Sequence, residues 1–191
     1  TRRQWYSQAA KAYRWARPTY PDALLDSVVA EAGLKAGDSI LEIGCGPGIA
    51  TESLAARQFV MLSVEPSPTA CELARQAFSP FQNVTVTNTT FENYDLGAQR
   101  FDAVLAATSF HWVSPAIACK KSAAALRPGG SLILLWATPP QPSKAICQYL
   151  QPVYDRANLS ELGHKQHRTE AYYTYNFQTF AHTVAGSGLF R

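Results

Sequence analysis

Residues 41–51 read LEIGCGPGIAT, with Gly44, Gly46 and Gly48 at alternate positions behind Glu42. The apolar run ahead of them and the helix-compatible segment behind them place the cluster where a buried strand turns into a helix, at the sheet end where open α/β folds bind ligands. Glycine there lets the chain turn sharply and lets a ligand touch bare backbone. The helix that follows offers free N–H groups and the positive end of its dipole to an anion. Two phosphate-binding loops are excluded by spacing. The dinucleotide pattern G-x-G-x-x-G needs a third glycine at position 49 counted from Gly44, or at 51 counted from Gly46, and Ile49 and Thr51 stand there. A Walker A loop ends in G-K-[ST], and no lysine occurs between positions 36 and 119. What remains is E-x-G-x-G-x-G, whose leading carboxylate repels a pyrophosphate but can hold an ammonium, directly or through water.

Further residues extend the pattern. Glu65 closes an apolar run 21 positions beyond Gly44, where a carboxylate accepts both hydroxyls of a ribose; taken alone it is equally a surface acid. Phe91-Glu92 offers an aromatic edge beside a carboxylate, which suits an adenine face and its exocyclic amine. The same pair is also readable as a core ring and a helix-start acid. A ribose, an adenine, an ammonium and a carboxylate, with no phosphate, describe S-adenosylmethionine. His111-Trp112 follows the fourth apolar run, at the rim beside the expected methyl group, where an imidazole can accept a proton or bind an acceptor oxygen. The plainer reading is a histidine bonded to backbone with a tryptophan in the adjacent wall. Tyr13, Arg17 and Tyr20 either close over the cofactor, with the guanidinium offered to a carboxylate, or belong to a helix that covers the sheet. His164 and His167 are three apart, but no Cys or carboxylate set completes a metal site around them, so no metal is expected.

These residues need a scaffold, and the hydrophobic rhythm supplies one. SILEIG (39–44), FVMLSVE (59–65), NVTVTN (83–88), FDAVLAA (101–107) and SLILLWA (131–137) read as short buried strands, with helix-compatible segments near 49–58, 67–78 and 115–126 between them. That alternation implies parallel pairing through right-handed crossovers, hence an α/β fold with a doubly wound, mostly parallel sheet. Two helices precede it, over 4–16 and from Pro21-Asp22 to about Ala32. After Trp136 the prolines of TPPQP break the rhythm; 143–157 reads as a helix, and HKQHRTEAYYTYNFQTF has no clear strand register. The expected organisation is a cofactor-binding core over 1–138 with an N-terminal helical cover. Residues 139–191 form a cap or an incomplete C-terminal part of the same domain.

Composition sets the outer bounds. The 191 residues are 47% hydrophobic and 16% charged, as in a globular domain, and no apolar run approaches the roughly 20 residues of a membrane span. A net charge of +3 without a basic stripe argues against nucleic acid as a partner. Cys45, Cys71, Cys119 and Cys147 are scattered and form no C-x-x-C pair, which fits a reduced, cytoplasmic protein. The chain starts at Thr1 rather than Met, which leaves targeting open, and the sequence does not disclose an oligomeric state.

Five stretches, YRWARPTYP, ILEIGCGPG, SVEPSPTACELAR, FDAVLAATSFHWV and ALRPGGSLILLW, together resemble the class I S-adenosylmethionine-dependent methyltransferases, in particular the small-molecule branch similar to trans-aconitate methyltransferase-like enzymes; the resemblance spans roughly residues 5–137. It implies a Rossmann-like methyltransferase fold in which Glu42, Gly44, Gly46, Gly48 and Glu65 bind methionine and ribose, and backbone at Ala106 and Thr108 meets the methionine amino group. Many relatives carry an aspartate just after strand three to contact adenine, where this chain has Thr89-Thr90 ahead of Phe91-Glu92. Relatives also usually continue past position 191 into two strands that complete a seven-stranded sheet, so the final antiparallel strands are left open here. The implied activity is direct in-line methyl transfer to a small carboxylate, hydroxyl or amine acceptor, without a covalent protein nucleophile. AATSFH stands where nucleobase and glutamine-amide methyltransferases carry D/N-P-P-Y/F, and no Pro-Cys nucleophile for cytosine is present. The alternative is a methyltransferase-like domain that binds cofactor or a protein partner without turnover.

Overall fold

The five Val/Ile/Leu runs become five parallel strands in the computed structural model, which describes residues 2–138, 142–157 and 168–190; His164 and His167 lie outside the described residues. The strands are β1 Ser39–Ile43, β2 Val60–Glu65, β3 Val84–Asn88, β4 Phe101–Ala107 and β5 Leu126–Leu135. Their order is β3-β2-β1-β4-β5. β1 sits in the middle, with Leu41 paired to Leu62 on one side and Val104 on the other. The chain winds outward from β1 in both directions, so the crevice beyond its C-terminal end is the topological switch point at which such sheets bind ligands.

The crossovers are α3 Ile49–Ala55, α4 Pro68–Phe78 and α5 Pro115–Ala125, and α1 Arg2–Ala16 and α2 Asp22–Glu31 precede the sheet. α4 begins where Ser67 Oγ accepts the Ala70 amide at 3.2 Å and Pro68 takes the first turn, a cap and a pre-set φ that together define a helix start. One core packs α2 and α3 on the sheet: Leu25 and Leu54 meet Ile40, Phe59, Met61 and Leu105, all at most 4% exposed. α1 lies against α4. These elements belong to a unit formed by 1–137 with 187–191; a second unit, 138–186, contains α6 Lys144–Arg156 and α7 Glu170–Ala185.

Two elements differ from the sequence expectation. β5 begins at Leu126, five residues early, directly from the end of α5. Its pairing with β4 jumps from Phe101↔Leu126 to Ala103↔Ser131, so RPGG bulges out, held by Arg127 on Asp102 at 2.5 Å. Gly129, at φ +80, turns that bulge. In the tail, α7 forms where no register was legible. Its aromatic residues favour strands, but Thr169 caps the helix by accepting the Tyr172 amide at 3.3 Å, and Glu170 sits in the first turn.

Gly48 shows how tightly the loop after β1 is built. Its φ is +93, and a Cβ added there would lie 2.2 Å from Phe78 Cζ. Gly48→Ala therefore combines a left-handed backbone with overpacking, and urea denaturation is expected to show a loss of about 2–4 kcal/mol.

Candidate functional site

The site grows from the C-terminal end of β1. Glu42 is 1% exposed, and an isolated buried carboxylate is costly unless it is bonded. Two hydroxyls meet that need: Thr51 Oγ1 from α3 donates at 2.5 Å and Ser63 Oγ from β2 at 3.0 Å, both to Oε2. Burial still dominates, so the carboxyl is pushed up from 4.5 to about 7, with the nearby Glu65 charge adding to the rise. Glu65, 4% exposed at the end of β2, accepts the Gly46 amide at 2.9 Å on Oε2 and the Ser67 amide at 2.8 Å on Oε1. Its carboxyl is also raised by burial, against the pull of these two amides.

The loop between them passes close to the end of β4. A Cβ on Gly44, whose φ is +67, would sit 2.8 Å from Ser109 Cβ, while Ser109 Oγ donates to the Ile43 carbonyl. Just before Ser109, Thr108 holds an unusual positive φ of +58. Three bonds hold that conformation: its amide donates to Leu135 O at 2.7 Å, its Oγ1 accepts the Ala137 amide at 3.0 Å, and the same oxygen meets Tyr20 Oη at 2.9 Å.

These pieces enclose a cavity of about 410 Å³, within the range of small-molecule sites. Glu42, Gly44, Gly46, Glu65, Phe91, Glu92, Thr108, His111, Tyr13 and Arg17 all line it. Two expected residues do not. Ala106 is wholly buried in β4, paired with Leu134, and Gly48 starts α3 against Phe78. Phe91, 2% exposed, is clamped from behind by Lys121, whose Nζ lies 5.5 Å from the ring centroid and donates to the Glu92 and Tyr94 carbonyls. Arg17 lies 4.9 Å from the Tyr13 centroid and donates to Ala137 O at 3.3 Å. His111 occupies a single 3-10 turn, Phe110–Trp112, exposed at the cavity mouth with its ring 5.4 Å from that of Trp112. Partial desolvation lowers its pKa from 6.5, which favours the neutral imidazole at pH 7. Cys45 also lines the cavity, but burial and the two glutamates push its thiol well above the ordinary range, so it is not an activated nucleophile.

Sequence reasoning missed the supports. Thr51 was weighed only as a residue that is not glycine, yet it holds Glu42. Arg14 was not singled out, although it joins α1 to the loop by donating to Pro47 O at 2.7 Å and to Glu52 at 3.0 Å. Among the described residues no group of three or more His, Cys, Asp or Glu is placed to hold a metal ion, and no helix is long and apolar enough to cross a membrane.

Residues 40–130 match the family described as Methyltransferase domain. That stretch, just under half of the chain, is similar to methyltransferase domains, and together with the relatives and solved structures it supports a class I S-adenosylmethionine-dependent methyltransferase. An uncharacterized methyltransferase of Mycobacterium tuberculosis is 35% identical over 133 residues, 70% of this chain and 52% of its own length. The chain spans about half the length of the curated relatives first matched. Among solved structures, the CcbJ methyltransferase of Streptomyces caelestis shares 25% identity and a TM-score of 0.56 over 68% of this chain and 56% of its own. Coclaurine N-methyltransferase, solved with N-methylheliamine and SAH, shares the fold at a TM-score of 0.51 and 22% identity, over 59% of this chain and 34% of its own.

The Glu42 carboxyl links this site to stability. Its folded pKa lies above 4.5, so folding favours the protonated form; that contribution is complete below pH 4.5 and is lost as pH rises through about 7. Denaturant titrations from about pH 5 to 9 are expected to show the wild type losing up to about 3 kcal/mol relative to Glu42→Gln.

Proposed function

We propose that the chain binds S-adenosylmethionine in this cavity and transfers its methyl group to a small molecule. The observation that carries the reading is the convergence of two buried carboxylates, Glu42 and Glu65, on one hollow floored by bare glycine backbone. That chemistry suits a phosphate-free, zwitterionic nucleoside, and the SAH bound to coclaurine N-methyltransferase is of that type.

Each residue then has a task. Both hydroxyl donors to Glu42 end on Oε2, which leaves Oε1 for the ammonium of the methionine moiety. Each Glu65 oxygen accepts one amide and retains a lone pair for a ribose hydroxyl. Phe91 and Glu92 take the adenine ring and its amine. Arg17 offers its guanidinium to the methionine carboxylate. When bound, the cofactor supplies a methyl group already activated by its sulfonium. The chain's own part is to hold an acceptor in line with that methyl and keep water out. His111 stands at the mouth as the base for an acceptor that must lose a proton.

Calorimetry with S-adenosylmethionine tests the cofactor assignment. Saturable binding is expected, weakened about 10–100-fold in Glu65→Ala from loss of charge-assisted ribose bonds and retained to within a few-fold in Thr89→Ala. Folded protein that shows no saturable heat removes the proposal. Binding without methyl transfer to any small acceptor would instead favour a cofactor-binding domain without turnover.

A further inference from the structure

The outer wall of the same cavity is made of rings. Tyr13, Tyr20, His111 and Trp112 line it, and Trp112 keeps 51% of its surface open. Carboxyl groups outnumber cations in its lining: Glu42, Glu65 and Glu92 line the cavity, and Arg17 is the guanidinium among its lining residues. Among the described residues, two further cations close to these segments are turned to protein groups. Arg14 is on Glu52 and Pro47 O, and Lys121 is on the Glu92 and Tyr94 carbonyls. Under the cofactor reading above, Arg17 faces the methionine carboxylate, so an acceptor carboxylate would enter against like charge without a cation of its own.

The position of His111 narrows the acceptor further. A carboxylate is already ionised and needs no base. An amine reacts as the neutral fraction in equilibrium with its ammonium, its first proton already left in solvent, and the methylated ammonium can shed a second proton after the bond has formed. A hydroxyl would become an oxonium ion unless its proton leaves as the bond to carbon forms, so it alone requires a neutral base at the reacting oxygen. A phenol, with an acidity like that of tyrosine near pKa 10, lies within reach of an imidazole, and its flat ring matches the open face of Trp112.

We propose that the acceptor is a phenolic hydroxyl, its ring against Trp112 and its oxygen at His111. This rests on the methyl-transfer reading of the site. The phenol oxygen forms a bond to the methyl carbon as the sulfur–methyl bond breaks; that bond's electron pair goes to sulfur, leaving a neutral thioether. The phenolic proton moves to the free ring nitrogen of His111 and then to solvent. The products are an aryl methyl ether, S-adenosylhomocysteine and one proton.

The test offers the full chain S-adenosylmethionine and three acceptors that share one ring, 2-naphthol, 2-naphthoate and 2-naphthylmethylamine, with products identified by mass spectrometry. The methyl ether of 2-naphthol is expected to form at least tenfold faster than the ester or the N-methyl amine. His111→Ala is expected to slow ether formation at least 100-fold, to abolish the fall in kcat below pH 6.5 at saturating S-adenosylmethionine, and to leave S-adenosylmethionine affinity within twofold by calorimetry. Trp112→Ala is expected to raise KM for 2-naphthol about tenfold with little change in kcat. Preferred methylation of the acid or amine overturns the proposal, as does absence of ether from protein that binds S-adenosylmethionine, or an unaltered rate and pH profile in His111→Ala. Failure to bind S-adenosylmethionine at all would instead overturn the underlying cofactor reading and this proposal with it.

Discussion

Both oxygens of Glu65 are occupied by backbone amides, one from Gly46 in the loop after β1 and one from Ser67 at the head of α4. This ties the glycine loop to a strand end rather than leaving it a free turn. The parallel register sets up the tie, because Ile43 pairs with Val64 and brings the two strand ends level. Gly44 then donates to Val64 O at 2.8 Å, a second link across the same gap. Remove the Cβ-free positions and the loop cannot lie there, since Ser109 presses on Gly44 and Phe78 on Gly48. The inner wall is thus as rigid as the sheet, which is what a site that must recognise its ligand through backbone requires.

Glu42 depends on that same rigidity. A carboxyl pushed up to about 7 by burial is a strained group, and it is tolerated because Thr51 and Ser63 hold one oxygen from two different elements. Neither hydroxyl has another reason to be buried without a partner to bond. The pair also explains why α3, only seven residues long, begins where it does: Thr51 must come round beneath β1 within a single turn of the glycine loop.

Much of the scaffold was legible from the chain because it follows from local pattern. The apolar runs gave all five strands, and the failure of the G-x-G-x-x-G and Walker spacings at Ile49, Thr51 and the lysine-free stretch separated this loop from phosphate binders. What could not be read depends on partners far apart in sequence. Ser63 lies 21 positions from Glu42, and Arg14 lies 38 from Glu52; only the folded crossovers bring them together. β5 starts ahead of its apolar run because the Arg127–Asp102 pair holds RPGG as a bulge within the strand. The aromatic content of α7 masked a cap at Thr169 that decided the matter locally.

The outer wall is built on a different principle from the inner one. Tyr20, Thr108 and Ala137 come from three separate stretches and meet at a single hydroxyl, Thr108 Oγ1, which accepts the Ala137 amide, while Arg17 donates to the Ala137 carbonyl from the segment after α1. The Thr108 amide, bonded to Leu135 O, extends the β4–β5 ladder; the other ties are side-chain bonds between loops, and loops accept substitution more readily than a sheet does. A strained threonine at φ +58 marks the point where the two walls join. On the proposed function, the glycine floor and buried glutamates hold the nucleoside, while the residues at the mouth, His111 and Trp112 among them, meet what approaches. The two tasks of that proposal are then separable, because one rests on the sheet and the other on the loops that cover its edge.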